Sequence, residues 1–175
     1  MQINIDTRSG GVNSRTSGVY CGAIDWRHDS WGRWFYPADL PVDWRLTYFN
    51  TQFSCVWLPY ATWRDAALEE VHGWVEDTRA DFRFLLEAGP LPEPHELALL
   101  EILAPRMGLH CAADHADLVW FEKGVDLRNL ARLLEGRARD DRAIYLLSRD
   151  GDQSTLEQVE TLIGLFGLGP GAVVG

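Results

Sequence analysis

The fold is decided by a stretch between Val19 and Pro90, in which short apolar runs alternate with segments of helical pattern. The runs read VYCGAI at 19–24, SCVWL at 54–58 and FRFLL at 82–86. Each run has the length and the composition of a strand buried on both faces. Strands of this kind that alternate with amphipathic helices are typical of βα units around a parallel sheet.

Two helices are predicted between these strands. Asp43 can cap the first, which carries Trp44, Tyr48 and Phe53 on one side. The second places its apolar side chains at the 3.6-residue spacing of an amphipathic helix. These side chains belong to Trp63, Ala66, Ala67, Val71, Trp74 and Val75.

The alternation continues after Pro90. The predicted helices lie at 96–104, 127–134 and 154–166, and the predicted strands at 109–113, 118–121, 142–147 and 172–174. Asp126 is the expected cap of one helix, and a capping box of Ser154 and Glu157 opens another. With six or seven strands, the fold class is α/β, a TIM-barrel-like parallel domain. It is contracted or incomplete, because a full barrel usually needs about 200 residues or more.

The 175 residues suffice for one domain, predicted over 19–175, and the polar residues 1–18 are predicted to form a flexible leader. The leader lacks the apolar core of a signal peptide, and no apolar run is long enough to span a membrane. The net charge of −10 disfavours partners such as nucleic acids and anionic membranes.

Three cysteines without a CxxC pair fit a reduced, cytoplasmic compartment and inert, buried thiols. No P-loop, GxGxxG or GxSxG signature occurs, so no cofactor is predicted. An open parallel sheet leaves edges to cover, which makes a homodimer the expected assembly.

The segment CGAIDW at 21–26, followed by WFYP at 34–37 and by Leu40, Pro41 and Trp44, resembles the opening of the family called domain of unknown function 72. That family begins with a strand ending in a GTSGW-like turn, followed by an aromatic W…FYP stretch. The resemblance extends through the helix with Tyr48 and Phe49 and through the FRF run at 82–84. It implies a TIM-barrel-like fold, and it implies no defined activity.

The chain departs from the family pattern where strands end. Trp57 stands where the family's second strand carries a glutamate, and Pro59 where it carries an asparagine. Glu87 stands where a lysine is expected, and the family's FNND is reduced here to a single matching residue, Asp150. The carboxyl ends of strands hold the functional site in parallel α/β folds. The resemblance therefore implies that this chain has replaced most of the polar residues that the family carries at its strand ends.

Polar residues at these strand ends are candidates for catalysis. Asp25 and His28 follow the first strand, Glu87 ends the third, and Asp150 follows the strand at 142–147. An Asp-His pair can act as acid and base, and paired carboxylates perform glycosidase or metal chemistry. The alternative is that these acidic side chains are simply solvated.

Large rings near these positions are candidates for ligand binding: Trp26, Trp31, Trp34 and Trp57. They could hold a planar or sugar-like ligand. The alternative is a hydrophobic plug over the barrel mouth, because aromatic side chains are more often core than binding platform.

The segment HCAADHAD at 110–117 is the densest set of potential metal ligands, and His110, Asp114 and His115 are its candidates. It lacks spacings such as HExxH or CxxC, and a polar turn between two strands explains it better than a metal site. No metal is therefore predicted.

Two functions stay open at this stage. The first is a ligand-binding or protein-interaction role, in a relative that has lost the family's polar set. The second is a hydrolase for a small polar or sugar-like substrate, with a rebuilt carboxylate and histidine site.

Overall fold

The computed structural model describes residues 18–28, 31, 34–137 and 140–170. Six strands in these residues form one sheet, in which every neighbouring pair is parallel. They are β1 (Val19–Ile24), β2 (Cys55–Leu58), β3 (Arg83–Glu87), β4 (Met107–Cys111), β5 (Leu118–Phe121) and β6 (Ile144–Ser148). The order is β4-β3-β2-β1-β6-β5, so β1 is central and β4 and β5 are the two edges.

Helices connect most of the strands and cover one face of the sheet. They are α1 (Arg45–Gln52), α2 (Tyr60–Trp63), α3 (Leu68–Glu76), α4 (Pro94–Leu103), α5 (Leu127–Arg137) and α6 (Gln153–Phe166). Short 3-10 turns precede α1 and follow α4. Among the described residues, no helix is both long enough and apolar enough to cross a membrane.

The strands send alternate side chains into two separate apolar clusters. The larger cluster lies between the sheet and the helices and includes Val56, Phe84 and Leu146 from the strands. The smaller one, the concave cluster, lies on the other face. Its buried members are Tyr20, Cys55, Trp57, Leu85, Leu118, Tyr145 and Leu147. Burial on both faces explains why the strands read as unbroken apolar runs.

The sheet curls far enough for distant strands to touch. A Cβ atom on Gly108 of β4 would lie 2.8 Å from the hydroxyl oxygen of Tyr145, although β3, β2 and β1 separate β4 from β6 in the sheet. Trp57 of β2 and Trp120 of β5 also meet, with ring centroids 5.5 Å apart. The edges β4 and β5 do not pair. The fold is therefore a contracted, open TIM-barrel-like sheet, as the sequence predicted.

The predicted polar turn at 112–117 does not join neighbouring strands. It runs between the two edges of the sheet, because β4 and β5 lie at opposite ends of the strand order. Asp117 secures its end: both carboxylate oxygens accept hydrogen bonds from Arg142 Nη2, at 2.9 and 2.8 Å. The backbone oxygen of Asp117 accepts from the amide of Tyr145 at 2.9 Å, and the indole of Trp120 donates to the carbonyl of Ala113 at 2.8 Å.

Six predicted strands are confirmed: β1 and β5 have the predicted bounds, and the ends of the other four are shifted by up to two residues. The predicted strand at 172–174 and residues 1–17 of the predicted leader lie outside the described residues. The cap at Asp126 is confirmed, because its Oδ1 atom accepts from the amides of Arg128 and Asn129, at 2.9 and 3.2 Å.

Three predictions about helices were wrong. Asp43 lies within the 3-10 turn before α1 and makes no capping bond through its side chain. The single helix predicted around 63–75 is two helices, because Ala67 is extended. This break directs Trp63 to the end of β3, where its Nε1 atom donates to the carbonyl of Glu87 at 3.0 Å.

The third correction concerns the start of α6, where no capping box of Ser154 and Glu157 forms. Asp152 caps the helix instead, and its Oδ2 atom accepts from the amide and the hydroxyl of Thr155, at 3.0 and 2.7 Å. A carboxylate at this position satisfies the free amides of the first turn two residues earlier than expected. The side chain of Glu157 accepts instead from Gln153 Nε2 at 3.2 Å.

Candidate ligand-binding site at the carboxyl ends of β1 and β6

A recess of about 120 Å³ opens where β1 and β6 end. The two strands are neighbours in the sheet, so the loop after β1 and the turn after β6 leave it side by side. The recess is lined by Ala23, Ile24, His28, Trp31, Ser148, Arg149, Asp150 and Gly151. Three of the predicted site residues therefore share one recess: the catalytic candidates His28 and Asp150 and the binding candidate Trp31.

Hydrogen bonds hold Asp150 in place. Its Oδ2 atom accepts from the backbone amide of Lys123 at 2.9 Å, and its Oδ1 atom accepts from the Ser148 hydroxyl at 3.1 Å. The amide of Lys123 is the main reason why the pKa of Asp150 is lower than that of an ordinary aspartate. Gly151 follows with a φ of +65°, a conformation that glycine adopts without strain. The turn thus presents an ionised carboxylate at a fixed position.

The recess continues into a longer surface depression along α6. A second cavity, of about 520 Å³, shares Trp31, Asp150 and Gly151 with the recess. A third, of about 410 Å³, shares Phe35, Gln153 and Glu157 with the second. We call the second and third cavities together the α6 groove. Its other described lining residues are Trp34, Gln52, Phe53, Asp152, Ser154, Leu156, Glu160 and Thr161.

The wall of the α6 groove opposite the helix is aromatic. Trp31 is buried and packs edge-to-face on Phe35, with centroids 4.9 Å apart. Phe35 in turn stacks on Phe53 at 5.4 Å, with an interplanar angle of 20°. These rings belong to the larger apolar cluster beside α1. The wall is therefore anchored in the core.

The four predicted binding tryptophans do not share one wall. Trp26 packs against Trp74 and Phe84 in the helix-covered cluster. Trp31 lines the recess and the groove, and Trp34 lies at the groove with 83% of its surface exposed. Trp57 alone lies in the concave cluster.

Trp57 makes its ring contact on the concave face of the sheet. Its ring meets Trp120 edge-to-face, and the guanidinium of Arg149 lies 4.8 Å from the centroid of Trp120. The predicted plug of four tryptophans does not form, because Trp26, Trp31 and Trp34 lie in the helix-covered cluster or at the groove. The alternation along β5 could have indicated Trp120, whereas Arg149 gave no signal.

Asp25 and Glu87 take part in other contacts. Asp25 accepts from the amide and Nε atoms of Arg27, at 3.0 and 3.1 Å, and thereby holds that guanidinium over the ring of Trp26. Glu87 accepts from the amide of Tyr60 at 2.8 Å, where α2 begins. Two strands, β1 and β2, lie between β3 and β6. Glu87 and Asp150 have different hydrogen-bond partners, and Glu87 does not line the recess, so the structure does not bring them into one site.

The metal candidates are also dispersed. The ring of His110 packs against Trp63, and His115 Nδ1 accepts from the amide of Asp117 at 3.2 Å. Within the described part of the chain, no three histidine, cysteine, aspartate or glutamate side chains gather as metal ligands do. Burial raises the pKa of the thiols of Cys21 and Cys55 well above the usual value, and that of Cys111 to about 11. At neutral pH all three are therefore thiols, which are weak ligands and nucleophiles.

The fold is similar to that of a DUF72 family protein from Thermotoga maritima MSB8, known from a crystal structure. The TM-score is 0.54 and the identity 11%, and the alignment covers 83% of this chain and 99% of that one. A second DUF72 crystal structure, from Enterococcus faecalis V583, is 18% identical, with a TM-score of 0.35, over 82% of this chain and 56% of its own. In sequence, residues 20–89 match the family described as Protein of unknown function DUF72.

Over residues 20–89 the chain is similar to the DUF72 family. The matched residues run from β1 to just beyond β3 and so contain the aromatic loop and half of the sheet. No curated protein matches the chain. The similarity to the Thermotoga structure shows the fold, and the activity has to be argued from the site.

Asp150 lies in the recess, whereas Trp57 lies in the concave cluster on the inner face of the sheet. The structure thus places a large ring inside the barrel at β2 and a carboxylate at the end of β6.

The carboxylate of Asp150 predicts a pH dependence of stability. Its pKa is lower in the folded state, so its contribution is present above the unfolded-state pKa and is lost as pH falls through the folded-state pKa. We expect Asp150→Asn to be less stable than the unmodified protein at pH 6, with the difference shrinking as pH falls toward 3. Urea denaturation at several pH values measures this effect. A constant difference across that range would contradict it.

Proposed function

We propose that this protein binds a small ligand in the recess between β1 and β6 and in the adjoining α6 groove. The observation that carries the proposal is the continuity of the two spaces, which share Trp31, Asp150 and Gly151. A concave site with apolar walls and a few fixed polar groups is the usual form of a small-molecule site. It lies outside the carboxyl ends of parallel strands, where such folds bind ligands.

A binding role is favoured over the alternative, a hydrolase using Asp25, His28, Glu87 and Asp150. Those four residues would have to converge on one substrate. Glu87 supports the start of α2, and two strands separate its strand from β6. His28 and Asp150 alone share a recess, and its 120 Å³ is small beside the roughly 300–1,000 Å³ of typical ligand pockets. Most of a ligand would therefore occupy the groove.

The proposal extends to the state of the protein in the cell. We expect residues 19–175 to act as one domain and the protein to be cytoplasmic, which its free cysteines favour. The unpaired outer edges of β4 and β5 favour a homodimer.

A fragment screen by ¹⁵N-resolved NMR tests the binding site. We expect fragments that bind the unmodified protein to lose binding in Gln153→Trp, because Gln153 lines both cavities of the α6 groove and a large ring there would fill it. The matched control is Gln158→Trp, which places the same exposed side chain elsewhere on α6, outside the groove. The proposal fails if no fragment binds, or if the two variants retain the same fragments.

A further inference from the structure

We propose that the α6 groove binds a small organic cation, such as an alkylammonium group. This inference rests on the proposed ligand-binding function and names the chemical class of the ligand. It follows from the two kinds of side chain that line the groove, which are aromatic rings on one side and carboxylates on the other.

Four rings line the aromatic side, those of Trp31, Trp34, Phe35 and Phe53. Trp31, Phe35 and Phe53 are buried and show only a small part of their surface to the groove, so Trp34 supplies the accessible ring face. A cation over the face of such a ring is attracted by its quadrupole, and tryptophan is the strongest partner. Trp34 is the most exposed of the four, so its ring can be covered by a ligand without displacing core packing.

The helix side supplies negative charge. Asp150, Asp152, Glu157 and Glu160 line the groove, and none of its described lining residues is a lysine or an arginine. Lys123 lies beside the groove: its ammonium is 3.8 Å from Asp152, and its side chain is mostly exposed. The lining is thus electrostatically complementary to a cation and would repel an anionic ligand.

The burial of Glu160 is a second reason to expect a cation in the groove. Its side chain is partly buried, and burial raises its pKa, so the ionised form is poorly solvated where it stands. The hydrogen bond from the Cys21 thiol and the positive charge of Arg79 act in the opposite direction and lower the pKa of Glu160, but burial has the larger effect. A carboxylate that faces a cavity without a close ion pair lowers stability, and a bound cation would offset that loss.

An anion site at the start of α6 is the competing interpretation, because helix N-termini attract anions. The side chain of Asp152 already occupies that position and accepts from the amide of Thr155. A neutral sugar could also stack on the rings, and the experiment below separates this case from a cation.

The test compares choline with its neutral isostere 3,3-dimethyl-1-butanol by titration calorimetry, at low and at moderate salt. The two probes have the same shape and differ in charge. We expect choline to bind at least about tenfold more tightly, with an affinity that falls as salt rises. In Glu157→Gln we expect choline binding to weaken about three- to tenfold, with binding of the alcohol unchanged.

The matched control is Glu101→Gln, an exposed glutamate on α4 away from the groove. It should leave choline binding unchanged. Equal affinities for the two probes, no binding of choline, or equal effects of the two Glu→Gln variants would each overturn the cation proposal. The ligand-binding function is judged separately, by whether fragments distinguish Gln153→Trp from Gln158→Trp, so the two proposals can fail independently.

Discussion

Replacing Gly22 by alanine is expected to destabilise the protein by more than about 3 kcal/mol, or to prevent folding. Gly22 lies in β1 directly opposite Cys55 of β2. A Cβ atom added to it would lie 1.8 Å from the carbonyl oxygen of Cys55 and 2.7 Å from the carbonyl carbon. Both are backbone atoms of a strand paired on both sides, so they cannot move without breaking hydrogen bonds of the sheet.

The same substitution at Gly73 is the control and should have the opposite sign. Gly73 lies within α3, and nothing stands within 4 Å of an added Cβ atom. Alanine there should stabilise the protein by about 0.5–1 kcal/mol, because it restricts the unfolded chain and favours the helix. Urea denaturation followed by circular dichroism measures both variants. Similar free energies of unfolding for the two would contradict the close contact between β1 and β2.

The strands could be predicted from the sequence because burial on both faces leaves a simple signal, a short unbroken apolar run. The separation of β4 from β5 could not be predicted. The polar segment between them is short enough for a turn between neighbours, and only the curl of the whole sheet places its ends at opposite edges. The predicted cap of α6 was wrong for a local reason. Both Asp152 and Ser154 are residue types that cap helices well, and the sequence does not show which of them takes that position.

The candidate site was predictable only in part. His28 and Asp150 follow strands, and the rule that ligands bind at strand ends identified both. That they share a recess depends on β1 and β6 being neighbours, which the chain order conceals. Glu157 and Phe53 were not predicted as site residues, because the α6 groove forms only when that helix docks beside α1. A helix surface carries no sequence mark for the cavity that its neighbours create.

Trp57→Ala is expected to lower the free energy of unfolding by about 3–5 kcal/mol, the range for removing a large ring from a core. Trp57 is 3% exposed and lies in the concave cluster, where the curled sheet surrounds it. The small size of that cluster gives little scope for the remaining side chains to collapse into the space. The measurement is the free energy of unfolding in urea, with an unchanged slope as evidence that the unfolding reaction is the same.

The control for this loss is Trp44→Ala, because Trp44 is 60% exposed. It should lower the free energy of unfolding by less than about 1 kcal/mol, as expected for a surface position. A double-mutant cycle then tests the contact with Trp120, whose ring meets that of Trp57 edge-to-face. We expect a coupling energy of about 0.5–1.5 kcal/mol between the two rings. If Trp57→Ala cost no more than Trp44→Ala, the barrel mouth would not be plugged by this ring. The position of the DUF72 glutamate would then be open to a ligand, and the search for a site would move from the α6 groove to the inside of the barrel.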